Sequence, residues 1–146
     1  MNIRSSWINN RTVVFGANGF LGSSIVKRLH KNGSDFVAVV RPSSNLKRLK
    51  DLPQSFIQIA NEEDWASLVM RLEPEAVVCA HWSGVPKQSR ANEIIQRENL
   101  ENIERIAKAA KDNVSTFVAF GSQAESVPSR DPVKEILYDM GNTAYG

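Results

Sequence analysis

Thr12-Val13-Val14-Phe15-Gly16-Ala17-Asn18-Gly19-Phe20-Leu21-Gly22 decides the fold of this 146-residue chain. A β-branched and aromatic run meets glycine at once. The residues that follow fall into helical spacing from Phe20 to Lys31, with Leu21, Ile25, Val26 and Leu29 on one side and Lys27, Arg28 and Lys31 on the other. The order is strand, turn, helix. The glycines are spaced Gly-x-x-Gly-x-x-Gly, and each answers a steric need. Gly16 permits the sharp turn off the strand, Gly19 lets backbone amides approach a pyrophosphate, and Gly22 lets the helix pack close to the sheet. The unpaired amides at the helix start, with the positive end of its dipole, then hold phosphates. The loop from Gly16 to Gly22 is therefore expected to bind a dinucleotide, with Asn18, Phe20 and Leu21 among the contacts.

The same alternation continues outward. Asn32-Gly33 closes the first helix. Phe36–Val40 is a continuous apolar run, as a strand covered on both faces requires. After Arg41-Pro42, Ser43 or Ser44 can cap a short helix reaching Lys50. Phe56–Ile59 reads as a third strand, Glu62–Leu72 as a helix and Ala76–Ala80 as a fourth strand. A long helix over Asn92–Lys111 is expected to turn Ile95, Leu100, Ile103, Ile106 and Ala110 inward, ahead of a fifth strand over Val114–Phe120. Strands alternating with helices predict an α/β fold, a Rossmann-like parallel sheet with helices on both faces and right-handed crossovers, truncated after about five strands. Past Phe120 the pattern reads as loop with one helical piece near Val133–Met140.

Composition narrows the field. A hydrophobic share of 42% and a charged share of 23% suit a globular chain large enough for a core. The net charge of +2, from 18 basic and 16 acidic residues, argues against a nucleic-acid footprint. The lone cysteine, Cys79, lies in the apolar run Ala76–Ala80; it excludes an internal disulfide or cysteine-based zinc site and reads as a buried, inert thiol. No apolar run approaches a membrane span, and Met1–Asn10 is polar, so a cytoplasmic location is expected.

The end of the second strand selects the dinucleotide. Where NAD is preferred an acid usually stands there to accept from the ribose hydroxyls. Here the strand ends in Val40-Arg41-Pro42-Ser43-Ser44, with no acid. Arg41, helped by Ser43, suits a 2′-phosphate, so NADP(H) is expected in preference to NAD(H).

From Thr12 to Gly146 the chain resembles the extended short-chain dehydrogenase/reductases, in particular the NAD-dependent epimerase/dehydratase family acting on nucleotide sugars. Thr12–Gly22 is similar to the family's opening strand and glycine loop. Asn61 stands where the family usually has an Asp touching the adenine. Ala80-His81-Trp82-Ser83-Gly84-Val85 resembles the loop that passes beneath the cofactor, in a form close to members of surface-polysaccharide sugar synthesis. Gln96-Arg97-Glu98-Asn99-Leu100 looks like the family's fourth-helix segment with its recurring Asn. Gly121-Ser122-Gln123-Ala124-Glu125 is similar to the segment supplying the active-site Ser. Thr143-Ala144-Tyr145-Gly146 looks like the start of Tyr-x-x-x-Lys. The resemblance implies that Ser122 and Tyr145 are catalytic, with Tyr145 moving a proton at a substrate oxygen and Ser122 bonding the same oxygen. Tyrosine works so at neutral pH only if a cation stabilises its anion.

Two departures stand out. Ser126-Val127 replaces the family's Tyr-Gly, and the expected Lys would fall at the fourth position after Tyr145, past Gly146. Residues 1–146 are thus expected to be an incomplete NAD(P)-binding domain without the substrate domain, and to have negligible turnover alone. Three readings follow. One is a cofactor-binding fragment of a nucleotide-sugar epimerase, dehydratase or 4-keto reductase. The others are a non-catalytic NADP(H)-binding module and a decayed, truncated gene product. Self-association is expected through the long helix or an exposed sheet edge.

Overall fold

A computed structural model describes residues 11–86 and 88–122. The chain divides into two compact units, Met1–His81 with Asn102–Ala119, and Trp82–Glu101 with Phe120–Gly146. The first unit holds the whole sheet. Its strands are β1 (Thr12–Phe15), β2 (Phe36–Val40), β3 (Ile57–Ile59), β4 (Ala76–Cys79) and β5 (Thr116–Ala119). They lie in the order β3-β2-β1-β4-β5, every pairing parallel. Phe15 pairs with Val39 on one side and with Cys79 on the other. The strand order reverses between β1 and β4, where an open α/β sheet leaves a crevice at its carboxyl ends.

Side chains alternate across the strands and feed two cores. Val13, Phe15, Val39, Val77 and Cys79 pack with Trp65, Leu68 and Val69 from helix α2 (Trp65–Leu72) and with Ile106 and Ala110 from helix α3 (Glu93–Ala110). Val14, Ala38 and Val40 pack on the other face with Val26 of helix α1 (Phe20–Lys31), Leu49 and Leu52. Helices therefore cover both faces, as predicted. Trp65 is the largest fully buried side chain, 5.0 Å from the Phe15 ring, and its indole N–H donates to the Ala60 carbonyl at 3.3 Å.

The glycine-to-strand region matches expectation closely: α1 and β2 take the predicted bounds, and Gly33 follows the helix at φ +69°. Other details differ. The short helix before Lys50 is a single 3-10 turn at Lys47–Leu49, because Ser44 turns its hydroxyl back to accept from the Arg41 amide and Asn45 accepts from Lys47. Glu62–Asp64 is likewise a 3-10 turn, and α2 starts only at Trp65. Leu21 and Leu100, expected inward, are 46% and 54% exposed. In α3 the buried places go instead to Gln96, Asn99 and Asn102. β5 is one edge of the described sheet, with Phe117 and Val118 each 37% exposed. Among the described residues no helix is long and apolar enough to cross a membrane. The helical piece expected near Val133–Met140, and Tyr145, lie outside the described residues.

Burial pushes the Cys79 thiol up to about 12, so it stays protonated throughout the physiological range. A colorimetric thiol reagent at pH 8 is expected to leave the native protein unlabelled and to titrate one thiol once denaturant is added.

Candidate functional site

The carboxyl ends of β1, β2 and β4 are tied together by hydrogen bonds that outrun the strands. The Ala17 amide donates to the Val39 carbonyl at 3.2 Å, and the Ala80 amide to the Phe15 carbonyl at 2.9 Å. This holds the Gly16–Gly22 turn against both neighbours of β1. Gly16 sits at φ +74°, and a Cβ there would lie 2.6 Å from the His81 amide nitrogen, so conformation and space both require glycine. Gly22 is required by closeness alone: its Cβ would stand 2.2 Å from the Gly16 carbonyl oxygen. Gly19 differs. Its backbone is ordinary extended (φ −71°), and a Cβ would meet the Gly16 oxygen at 3.2 Å, tighter than ordinary contact but far milder than at Gly16 or Gly22.

α1 begins at this turn with no side-chain cap and no acid in its first turn, while Arg28, His30 and Lys31 crowd its last. The positive end of its dipole is left uncompensated by the chain, which suits an anion. Phe20, 77% exposed, and Leu21 stand at the helix mouth, and Asn18 is half-buried in the turn.

The outer part of the crevice is polar. Arg41, the first residue after β2, places Nη1 3.2 Å from Oε1 of Glu62. The other oxygen of Glu62 accepts from the buried amide of Asn102 at 3.1 Å, and Arg105 donates to the Asn102 side-chain oxygen. Ser43 and Asn61 are exposed on neighbouring loops, Asn61 directly after β3 and Ala60. The His81 ring lies edge-on to Trp65 at 4.6 Å, and among the described residues neither ring nitrogen has a hydrogen-bonding partner. Burial first, and then the positive charge of Arg41, lower its pKa to about 4. The imidazole is neutral at pH 7.

Of the predicted residues, Gly16, Asn18, Gly19, Phe20, Leu21, Gly22, Arg41, Ser43, Asn61, Ala80 and His81 all belong to the first unit, on the loops that leave β1, β2, β3 and β4. Trp82, Asn99 and Ser122 belong to the second. There the Asn99 side chain accepts from the Ser83 amide and donates to the Ser83 carbonyl, both at 2.9 Å, while Trp82 donates to Gln96 at 2.8 Å. Gln96 also reaches the Ser89 carbonyl at 3.4 Å. Asn99 and Gln96 thus fix the loop after β4 to the start of α3. Ser122 is half-buried, three residues past β5. Sequence reading missed Glu62 and Asn102 in any such role. The one available signal was the spacing of Gln96, Asn99 and Asn102, which puts three amides on one face of a helix.

The sequence model of the NAD dependent epimerase/dehydratase family matches residues 12–145. The chain belongs to that family. Similar solved structures include Bordetella bronchiseptica WbmG in complex with NAD and UDP (16% identity, TM-score 0.75, 93% of this chain and 45% of that one). WbmH of the same organism, in complex with NAD+, gives 22% identity and TM-score 0.75, covering 93% and 47%. UDP-glucose 4-epimerase of Thermotoga maritima, with UDP-glucose, gives 20%, 0.75, 93% and 46%. This family member thus spans less than half the length of each of these structures. Among curated proteins no sequence match is found. The structures correct one expectation. WbmG and WbmH hold NAD or NAD+, so the preference for NADP(H) drawn from Arg41 does not stand. The physical reason lies in the same crevice, where the Arg41 guanidinium is already matched by the Glu62 carboxylate.

His81 makes stability depend on pH. Its folded pKa of about 4 lies below the ordinary histidine value of 6.5, so between those values the unfolded chain takes up the proton first. Stability is expected to fall as pH drops from 6.5 to 4, by roughly 3 kcal/mol in total from this group. Urea unfolding across that window should show the slope in the native protein, and a smaller slope in His81→Leu.

Proposed function

We propose that this chain is the NAD-binding part of an enzyme that epimerises, dehydrates or reduces a nucleotide-linked sugar. One observation carries the cofactor half of this reading. The fold demands glycine outright at positions 16 and 22, whereas at 19 the backbone is extended and the approach of a Cβ to the Gly16 oxygen is the milder 3.2 Å, so that glycine there also keeps the space outside the turn clear. That space lies at an uncapped, acid-free helix start, which is where a pyrophosphate is held. The residues present therefore fit NAD. The substrate half rests on family membership and on the UDP and UDP-glucose bound by the similar structures.

In this reading the amides of Phe20, Leu21 and Gly22 and the dipole of α1 bind the pyrophosphate, while the Gly19 amide donates to the Gly16 carbonyl at 3.0 Å. Asn61 hydrogen-bonds the adenine, and Arg41 and Ser43 border its ribose. Ala80, whose amide donates to the Phe15 carbonyl, and His81 border the cofactor, and Trp82 is a further contact. His81 stays neutral and transfers no proton. NAD, when bound, supplies hydride acceptance and return at a sugar carbon. The Ser122 hydroxyl bonds the reacting sugar oxygen, and Tyr145 takes or gives its proton, aided by a lysine that the family places one helical turn further on. Recognition of the sugar falls to the part of the enzyme beyond the span shared with these residues.

Calorimetric titration with NADH tests the reading. The native chain is expected to bind it, and Gly19→Ala to lose at least about tenfold in affinity while keeping its stability within about 1 kcal/mol. Gly22→Ala, which drives a Cβ into a backbone oxygen, is expected to lose both binding and thermal stability. If Gly19→Ala bound NADH as tightly as the native chain, the pyrophosphate would not lie against this turn.

A further inference from the structure

Glu62 carries an inference that reaches past the binding of NAD to how it is chosen, and it rests on the reading of the site just given. The adenine ribose of a dinucleotide is read at the end of the second strand, usually by an acid that accepts from its hydroxyls and repels a 2′-phosphate. β2 ends here in Arg41, a residue that by itself attracts that phosphate. We propose that Glu62, delivered from the turn after β3, is the specificity-determining residue that excludes the 2′-phosphate and so selects NAD over NADP.

The placement of Glu62 is built, not incidental. The Ala60 amide donates to the Val40 carbonyl at 3.0 Å, which locks the end of β3 to the last residue of β2 and keeps Glu62 beside Arg41. Arg41 is held in turn by its backbone amide, which donates to the Ser44 hydroxyl at 3.1 Å. An ion pair as exposed as Arg41–Glu62, at 49% and 30%, is weak by itself and would yield to a phosphate. The second oxygen of Glu62 changes this. It is gripped by Asn102, which is 6% exposed on α3 and itself bonded by Arg105. The carboxylate therefore stays fixed when a ligand arrives, with one oxygen on the guanidinium and one on a buried amide. A dianionic phosphate at Arg41 would have to share the guanidinium with that fixed negative charge. A ribose diol carries no charge and pays no such penalty. The rest of the neighbourhood does not exclude phosphate: Lys47, Arg48 and Lys50 are exposed and basic just beyond Arg41. Glu63 and Asp64 share the acidic turn, but no ion pair joins either of them to Arg41.

The test is titration of NADH and NADPH into the native protein and into Glu62→Gln, which keeps the shape and the acceptor toward Asn102 while removing the charge. The native protein is expected to prefer NADH by at least about tenfold. Glu62→Gln should gain about tenfold or more in NADPH affinity and stay within about threefold for NADH. Adding Arg41→Ala to it should abolish the gain, and Glu63→Gln, which removes an equal charge one residue away, should change neither affinity. Glu62→Thr gives the same readout should the Gln variant lose cooperative unfolding. NADPH affinity unchanged in both Glu62 variants, with NADH binding intact, would overturn the inference, as would native protein that binds NADPH as well as NADH. Native protein that binds neither dinucleotide would instead overturn the cofactor reading itself.

Discussion

The carbonyl oxygen of Gly16 and the α-carbon of Gly22 approach each other so closely that a methyl group on Gly22 would stand 2.2 Å from the oxygen. This contact sets the angle at which α1 leaves β1, and much of the rest follows from that angle. It brings α1 down over Val14, Ala38 and Val40, completing one core, and it aims the helix's positive end back over the ends of the strands. The backbone is braced from both sides, by the Val39 carbonyl of β2 through the Ala17 amide and by the Ala80 amide, just after β4, through the Phe15 carbonyl. Structure and site therefore share their most constrained atoms. A turn loose enough to accept side chains at 16 and 22 would not present its amides at a defined place.

A second constraint acts through polar side chains that are buried. α3 packs Ile103, Ile106 and Ala110 against the sheet, yet three of its most buried residues are Gln96, Asn99 and Asn102. Buried amides are costly unless bonded. Each of these is bonded, and the partners belong to functional loops: Asn99 and Gln96 take the loop after β4, and Asn102 takes the turn after β3. The helix converts a desolvation cost into position. His81 is the exception: among the described residues neither of its ring nitrogens has a partner, and burial and the charge of Arg41 depress its pKa.

What could be read from sequence follows the range of the interactions involved. β1, α1 and β2 were legible to the residue, because strand alternation, helical spacing and the positive-φ glycine closing α1 are all local signals. The 3-10 turns at Lys47–Leu49 and Glu62–Asp64 were not: the first depends on whether Ser44 and Asn45 bond backward or forward along the chain, and at the second Asn61 makes no side-chain cap. Leu100 was placed inward by its apolarity and lies outward because the inward arc of α3 near it is spent on amides that hold loops. The glycine loop, Asn61 and the Ala80–Trp82 segment were named as candidate site residues because short motifs carry them. Ser122 was named by resemblance alone, and Tyr145 lies outside the described residues.

The error over the dinucleotide shows where such reading stops. Arg41 was judged by its own strand end, where it is a cation with no acid for company. Its partner Glu62 comes 21 positions later, and the amide that steadies Glu62 comes 40 positions after that. Neither separation leaves a periodic trace, because the two contacts arise from parallel pairing of β2 with β3 and from the packing of α3 behind the sheet. In a parallel sheet, residues that follow adjacent strands meet at one edge whatever the chain length between them. A charge that specifies a ligand can therefore be supplied from either neighbour. The pattern to seek at a strand end is accordingly the set of residues just past all the strands beside it, and here that set holds both the arginine and the acid that answers it.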